Sequence, residues 1–198
     1  MRMNEFSAGF VDPVRDSQAV FRSILDALAT PGAIKVLPKT LPRNLSVGPD
    51  LASALLTFTG PECEIALSPA LQSEPVRQFV AFHTGARLTD NLDAAAFVFI
   101  AEGDALPKLS QCNLGSQEYP DRSTTIIVAV SSLTDGQQRV LLGPGIETEQ
   151  CFAVAGLPED FVGQWSENRE LFPRGVDMIF VSDGQVLGLP RSTRMVEA

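Results

Sequence analysis

The sequence is short of the side chains on which most enzymatic chemistry draws. His83 is its only histidine, which excludes a multi-histidine metal centre and any mechanism that needs two imidazoles. Cys63, Cys112 and Cys151 are odd in number, widely separated and without a C-x-x-C pair, so neither a disulfide framework nor a zinc site is expected, and a reducing cytoplasm fits. Lysine is scarce, with Lys35, Lys39 and Lys108 against twelve arginines. Arginine suits fixed bidentate contacts to carboxylate or phosphate, whereas lysine mostly supplies a mobile point charge. There is no G-x-S-x-G, no H-E-x-x-H and no triad spacing. The longest apolar run, residues 94–101, is far below the roughly 20 residues of a membrane span. Residues 1–9 show no basic stretch followed by an apolar one, so neither a membrane contact nor a targeting segment is expected. Positive charge is also in deficit. Fifteen cations against 24 acids leave a formal net charge of −9, which argues against nucleic-acid binding, because phosphate-backbone binders need a surplus of cations.

What remains is an ordinary globular composition. With 198 residues, 44% hydrophobic and 20% charged, one domain spanning 1–198 is expected. Val20, Phe21, Ile24, Leu25 and Leu28 recur at helical spacing and predict a helix over 17–29 behind an Asp16 or Ser17 cap, stopped by Thr30-Pro31-Gly32. Further helices are predicted over 51–58, over 74–83 with Ser73 as cap, over 105–111, and over 158–168 around Phe161 and Trp165. Strand-length apolar runs occupy 64–67, 96–101, 125–130 and 139–142. The unbroken runs Phe97-Val98-Phe99-Ile100 and Ile126-Ile127-Val128 read as strands covered on both faces. Segments 178–181 and 186–189 flank a Ser182-Asp183-Gly184-Gln185 turn and predict a hairpin that finishes the sheet. The alternation of strands and helices is that of an α/β sandwich.

Four segments offer chemistry, each with a plainer reading beside it. Asp12, Arg15, Gln18 and Arg22 could converge on a polar ligand at a helix start, or form a capped entry with Arg22 paired to Asp16 or Asp26. Gly143-Pro144-Gly145 follows a strand, yet it lacks the Lys-Ser/Thr of a phosphate loop and reads better as a tight turn. Arg191 and Arg194 bracket Ser192 and Thr193 and could meet an oxyanion or an acidic partner, or simply be solvated. His83 closes a helix, where it either complements the dipole or serves as a general base. Glu118 and Asp121 are loop carboxylates of a kind common in an acidic chain.

Taken in order, several segments resemble one family. They are Phe10-x-x-Pro13-Val14-x-Asp16-x-Gln18, Phe21-Arg22, Pro31-Gly32, Phe82-His83-Thr84, Gly143-x-Gly145-Ile146, Phe172-Pro173-x-Gly175-x-Asp177 and Pro190-Arg191-x-Thr193. Together they are similar to the H subunit family, PhnH, of the bacterial carbon-phosphorus lyase system, over nearly the whole chain. The resemblance implies a single-domain three-layer αβα sandwich with a mixed sheet, like the core of pyridoxal-phosphate-dependent transferases but without that cofactor. It implies a homodimer in isolation, and partnership with the G, I and J subunits in a cytoplasmic core complex. That complex couples an alkylphosphonate to the ribose of a nucleoside triphosphate with loss of the base.

No cofactor is expected, since a Schiff-base enzyme needs a buried lysine and none of the three lysines has a persuasive internal position. The leading expectation is a noncatalytic subunit acting through protein surfaces. The rival is an enzyme with its own phosphonate or phosphate pocket at a dimer interface. The residues carried forward for anion binding or interface contact are Asp12, Gln18, Arg22, His83, Arg191 and Thr193, with no catalytic residue and no metal ligand, and with a phosphonate or nucleotide as the small molecule that could bind.

Overall fold

The computed structural model describes residues 9–41 and 45–197. Residues 1–8, nearly all of the segment read above for a leader pattern, lie outside the described residues. The chain runs α1 (Pro13–Ala29), β1 (Lys35–Val36), α2 (Pro49–Phe58), β2 (Glu64–Leu67), α3 (Glu74–His83), β3 (Arg87–Leu88), β4 (Phe97–Ile100), β5 (Thr125–Ala129), β6 (Arg139–Leu142), β7 (Gln150–Phe152), α4 (Phe161–Glu170), β8 (Asp177–Ser182), β9 (Gln185–Leu189) and β10 (Arg194–Glu197).

Seven strands form the central sheet in the order β1-β9-β8-β5-β4-β2-β3. From β8 to β3 all neighbours are parallel, while β9 and β1 add an antiparallel margin. Period-two alternation divides the strand residues between two cores. Phe99, Ile127, Ile179 and Val181 face a layer made by α1, α2 and α3. Val98, Ile100, Ile126, Val128, Met178 and Phe180 face Phe161 and Trp165 of α4, together with Leu141, Phe152 and Met195. Burial on both sides is why these strands read as unbroken apolar runs, and each fully buried large side chain contributes about 1.5–3 kcal/mol.

The second face departs from a purely helical layer. β6, expected as a strand, pairs with β7 and β10 in a three-stranded antiparallel sheet of order β10-β6-β7. The β8–β9 hairpin is the last part of the chain to join the central sheet, as expected, and β10 belongs to the small one. Asp183 (φ 40°) and Gly184 (φ 75°) make that turn as predicted, and β10 follows it. The three layers are helices, mixed sheet, and α4 beside a small sheet.

Helix boundaries also differ: α2 starts at Pro49 instead of 51, and α4 runs Phe161–Glu170 instead of 158–168. α1 starts four residues early because Pro13 suits the first turn and Asp12, not Asp16 or Ser17, is its cap. Asp12 Oδ1 accepts from the Arg15 backbone at 3.1 Å while Asp16 Oδ2 accepts from the Asp12 backbone at 3.0 Å, a reciprocal cap. Over 105–111 there is only a 3₁₀ turn, Leu109–Gln111, since Pro107 inside the run removes a donor and disfavours helix before it. Ser73 precedes α3 but its side chain makes no capping bond.

Candidate functional site

α1 has two apolar faces. Val20, Ile24 and Ala27 are buried against the sheet. Val14, Gln18, Phe21 and Leu25, spaced by three or four residues, form a second stripe that stays open, with Val14 66% and Leu25 52% exposed. A helix that needs only one buried face gains nothing for its fold from a second. Phe21 touches Phe58 of α2, ring centroids 5.8 Å apart, and its outer half is in solvent. Gln18 lies exposed within the stripe and Arg22 exposed at its edge. The ion pair expected from Arg22 to Asp16 or Asp26 is absent among the described residues.

His83 belongs to the same helical layer. A Cβ on Gly9 would stand 3.0 Å from the His83 ring, so glycine lets the segment leading to Asp12 run directly over the end of α3. The imidazole also packs on Phe79 and Phe82, centroids 4.6 and 5.0 Å away. Asp12, Gln18, Arg22 and His83 thus share one face of the protein.

Arg191 and Thr193 lie elsewhere, in the loop between β9 and β10, and no hydrogen bond, ion pair or ring contact among the described residues links them to the first four. Arg191 is a clamp. Nε lies 3.1 and 3.2 Å from the two Asp177 carboxylate oxygens, Nη2 donates to Asp177 Oδ2 and to Ser123 Oγ at 2.6 Å, and Nη1 donates to the carbonyls of Pro120 at 2.7 Å and Pro173 at 3.3 Å. All five guanidinium N–H groups have acceptors. The Arg191 backbone N–H adds a bond to Asp177 Oδ1 at 2.7 Å. Thr193 is fully buried; its carbonyl accepts from Trp165 Nε1 at 2.9 Å, and its hydroxyl has no partner.

The glycine motifs are held by close contacts. Gly143 (φ 138°) packs against the Ser192 carbonyl and Thr193 Cα, while Gly145 (φ 81°) lies so close to the Ala29 carbonyl that a Cβ would fall 2.3 Å from it. The turn reading of Gly143-Pro144-Gly145 is therefore the one realised. Gly175 donates to the Leu114 carbonyl and abuts Asn168, which bonds both the N–H and the carbonyl of Val176. Sequence reasoning singled out neither Ser123 nor Asn168, and it read Trp165 only as a helix residue. Asp177 stood within a motif, but nothing in one dimension pairs it with Arg191.

Two hollows accompany these features. A cleft of ≈ 520 Å³ opens at the carboxyl ends of β4, β5 and β8 beside the start of α2, where ligands of open parallel sheets commonly bind. Among the described residues its charged lining is Asp50, Glu102 and Asp183, the last paired to Lys39 at 3.4 Å. A groove of ≈ 510 Å³ between Leu109 and α4 carries Lys108 against Asp160, Glu167 and Glu170. Lys39 and Lys108 are exposed and Lys35 sits half-buried on the edge strand β1, so no lysine is enclosed as a Schiff base requires. Burial and the nearby Asp93 push the Cys112 thiol up to about 11, far from the range of a reactive cysteine. Among the described residues no group of three or more metal-ligating side chains assembles, and no helix is long and apolar enough to cross a membrane.

Comparison with known proteins adds a family. A model described as bacterial phosphonate metabolism protein (PhnH) matches residues 8–196. A protein of Rhizobium meliloti (strain 1021), named alpha-D-ribose 1-methylphosphonate 5-triphosphate synthase subunit PhnH, is 41% identical over 190 residues, covering 96% of this chain and 95% of its own. One from Stutzerimonas stutzeri, named as a candidate C-P lyase subunit protein, HtxG, is 34% identical over 181 residues, covering 90% of this chain and 85% of its own.

Proposed function

This chain belongs to the PhnH family of bacterial phosphonate metabolism proteins, and from that membership we propose that it is one subunit of the carbon-phosphorus lyase machinery. The assembly couples an alkylphosphonate to the ribose of a nucleoside triphosphate with loss of the base. The chain acts as one domain in the cytoplasm, binds the G, I and J subunits, and pairs with a second copy of itself when isolated. Its contribution is a binding surface rather than a catalytic centre.

The observation that carries this reading is the open stripe of α1. Val14, Phe21 and Leu25, with Val11 before them, are large apolar side chains left about half or more in water, and such exposed apolar groups rimmed by polar residues mark contact sites. Covering them stabilises an assembly by about 25 cal/mol per Å² removed from water. The rival, a phosphonate pocket built from Arg22, His83, Arg191 and Thr193, is weakened by the engagement of every Arg191 donor within the protein's own fold.

Gel filtration with light scattering, on the chain alone and coexpressed with G, I and J homologues, tests the proposal. Dimer and co-elution are expected for the native chain, and Phe21→Glu/Leu25→Glu should yield a folded monomer that no longer co-elutes. A native chain that never co-elutes, or a purified chain that turns over a phosphonate alone, overturns it.

A further inference from the structure

A second surface lies at the amino ends of β5 and β8. The Arg191 clamp holds the Pro120 and Pro173 carbonyls on one guanidinium nitrogen, at 2.7 and 3.3 Å. Two loops that enter β5 and β8 are thereby fixed side by side. Each loop presents an exposed aromatic next to an arginine: Tyr119 (48% exposed) with Arg122, and Phe172 (62% exposed) with Arg174. Arg122 stacks over the Tyr119 ring at 4.1 Å, which spreads its guanidinium flat on the surface. The Arg174 Nε is buried without an acceptor.

Glu118 and Asp121 share the Arg122 loop, yet no carboxylate among the described residues forms an ion pair with Arg122 or Arg174. Both guanidinium groups therefore keep N–H donors for a carboxylate that approaches, and such charge-assisted hydrogen bonds are the strong ones. Tyr, Phe and Arg on a preorganised surface are also the side chains that dominate binding energy at protein contacts. The clefts described above include none of the four residues, and a flat patch suits a protein surface better than a small anion, which is bound in a concavity.

We propose that Tyr119, Arg122, Phe172 and Arg174 form a second docking surface for a carboxylate-bearing segment of another subunit of the complex. This rests on the assignment above to the lyase machinery and adds to it that the chain is held at two separate surfaces, through an apolar contact at α1 and a charge-assisted one here. Arg191 is a positioning residue for this surface, since it sets the spacing of the two loops without facing the partner.

The test replaces Arg122 and Arg174 together with Glu in the full chain, coexpressed with the G, I and J homologues, alongside Phe172→Ala as a second variant whose fold does not depend on charge. Thermal melts confirm folding, and dissociation constants are measured at two salt concentrations. The double variant should bind at least tenfold more weakly than the native chain and lose most of the native salt dependence, and Phe172→Ala should weaken binding severalfold. A photo-crosslinking residue placed at position 172 should capture an Asp/Glu-containing peptide of a sister subunit. If the native chain assembles and all variants match it in affinity and salt slope, the inference falls while the assignment to the machinery stands; if the native chain does not assemble, the assignment itself falls. Binding of ATP to the isolated chain that is lost with Arg122 and Arg174 overturns the protein-surface reading in favour of a nucleotide site.

Discussion

Replacing Arg191 with Ala tests the clamp directly. The substitution removes all five guanidinium donors and leaves Asp177 with only the backbone N–H of residue 191 on Oδ1. It also strands the Pro120 and Pro173 carbonyls and the Ser123 hydroxyl. Truncating one member of a buried ion pair costs about 3–5 kcal/mol, mostly because the other charge is left uncompensated. The side chains of Arg191 and Asp177 are 14% and 22% exposed, so water recovers part of that loss, and the cost falls at the lower end of the range, about 3 kcal/mol. For a chain of this size each kcal/mol moves Tm by roughly 2–4 °C, giving a fall of roughly 6–12 °C.

Arg191→Lys keeps the charge but not the fork that reaches a carboxylate, two carbonyls and a hydroxyl together, and should cost about 2 kcal/mol. Equilibrium urea unfolding measures both variants, and a cycle with Asp177→Asn isolates the pair. The coupling should exceed about 1.5 kcal/mol. A loss below about 1 kcal/mol for Arg191→Ala, or no coupling to Asp177, would refute the clamp and return Arg191 to the pool of side chains free to hold an anion.

Phe21→Glu/Leu25→Glu should lower stability by no more than about 1 kcal/mol, since both side chains are already about half in water, while abolishing assembly; a chain that unfolds instead would mean the stripe is part of the core, as far-ultraviolet circular dichroism would reveal. Gly145→Ala should cost at least about 2 kcal/mol, because φ is +81° and the new Cβ meets the Ala29 carbonyl at 2.3 Å. Gly48→Ala, at φ +76° with open space around it, should cost only about 1 kcal/mol, and equal losses in urea melts would defeat the steric argument. Because the folded state holds the Cys112 proton up to about 11, against an ordinary value near 9, the unfolded chain releases it first as pH rises. The contribution is intact below about pH 9 and is lost between 9 and 11, on the order of 2 kcal/mol. Urea melts near pH 8 and pH 10.5 should show a decline in the native chain that is smaller in Cys112→Ala, and parallel declines would refute it.

How much of this was legible in the sequence depended on the range of the interaction. Strands buried on both faces announce themselves as apolar runs, so β2 and β4 and the β8–β9 hairpin were readable within a residue or two. Local chemistry sufficed for α3, where Pro75 and the Val76, Phe79, Val80 spacing agree. The missed α1 start and the false helix over 105–111 were both readable too, since Pro13 and Pro107 carry the signal and were underweighted. Which sheet β6 joins was not readable for a different reason: a four-residue apolar strand looks the same in either sheet, and only pairing with β10, roughly fifty residues on, assigns it. The Arg191 clamp is of that kind as well, joining residues 120, 123, 173 and 177, which no local pattern groups.

The segments that carry the family resemblance sort into two physical classes once placed in space. Gly143, Asp177, Arg191 and Thr193 meet at the β9–β10 loop, Pro31 and Gly145 pack together at the end of α1, and Gly175 abuts Asn168, so close backbone approach and a saturated guanidinium leave little latitude for other residues. Their identity is explained by the fold. Phe21 and Phe172 are not so explained, because 47% and 62% of their surfaces face water. A large exposed aromatic costs solubility and adds little to a core, so its presence in two separate motif segments calls for something that covers it outside the chain. Phe21 lies on the helical face, and Phe172 lies in the loop that enters β8, held in place by the clamp. A protein gripped at one surface only would need the first alone, and Phe172→Ala separates the cases: assembly of unchanged affinity would leave one contact surface, a severalfold loss requires two.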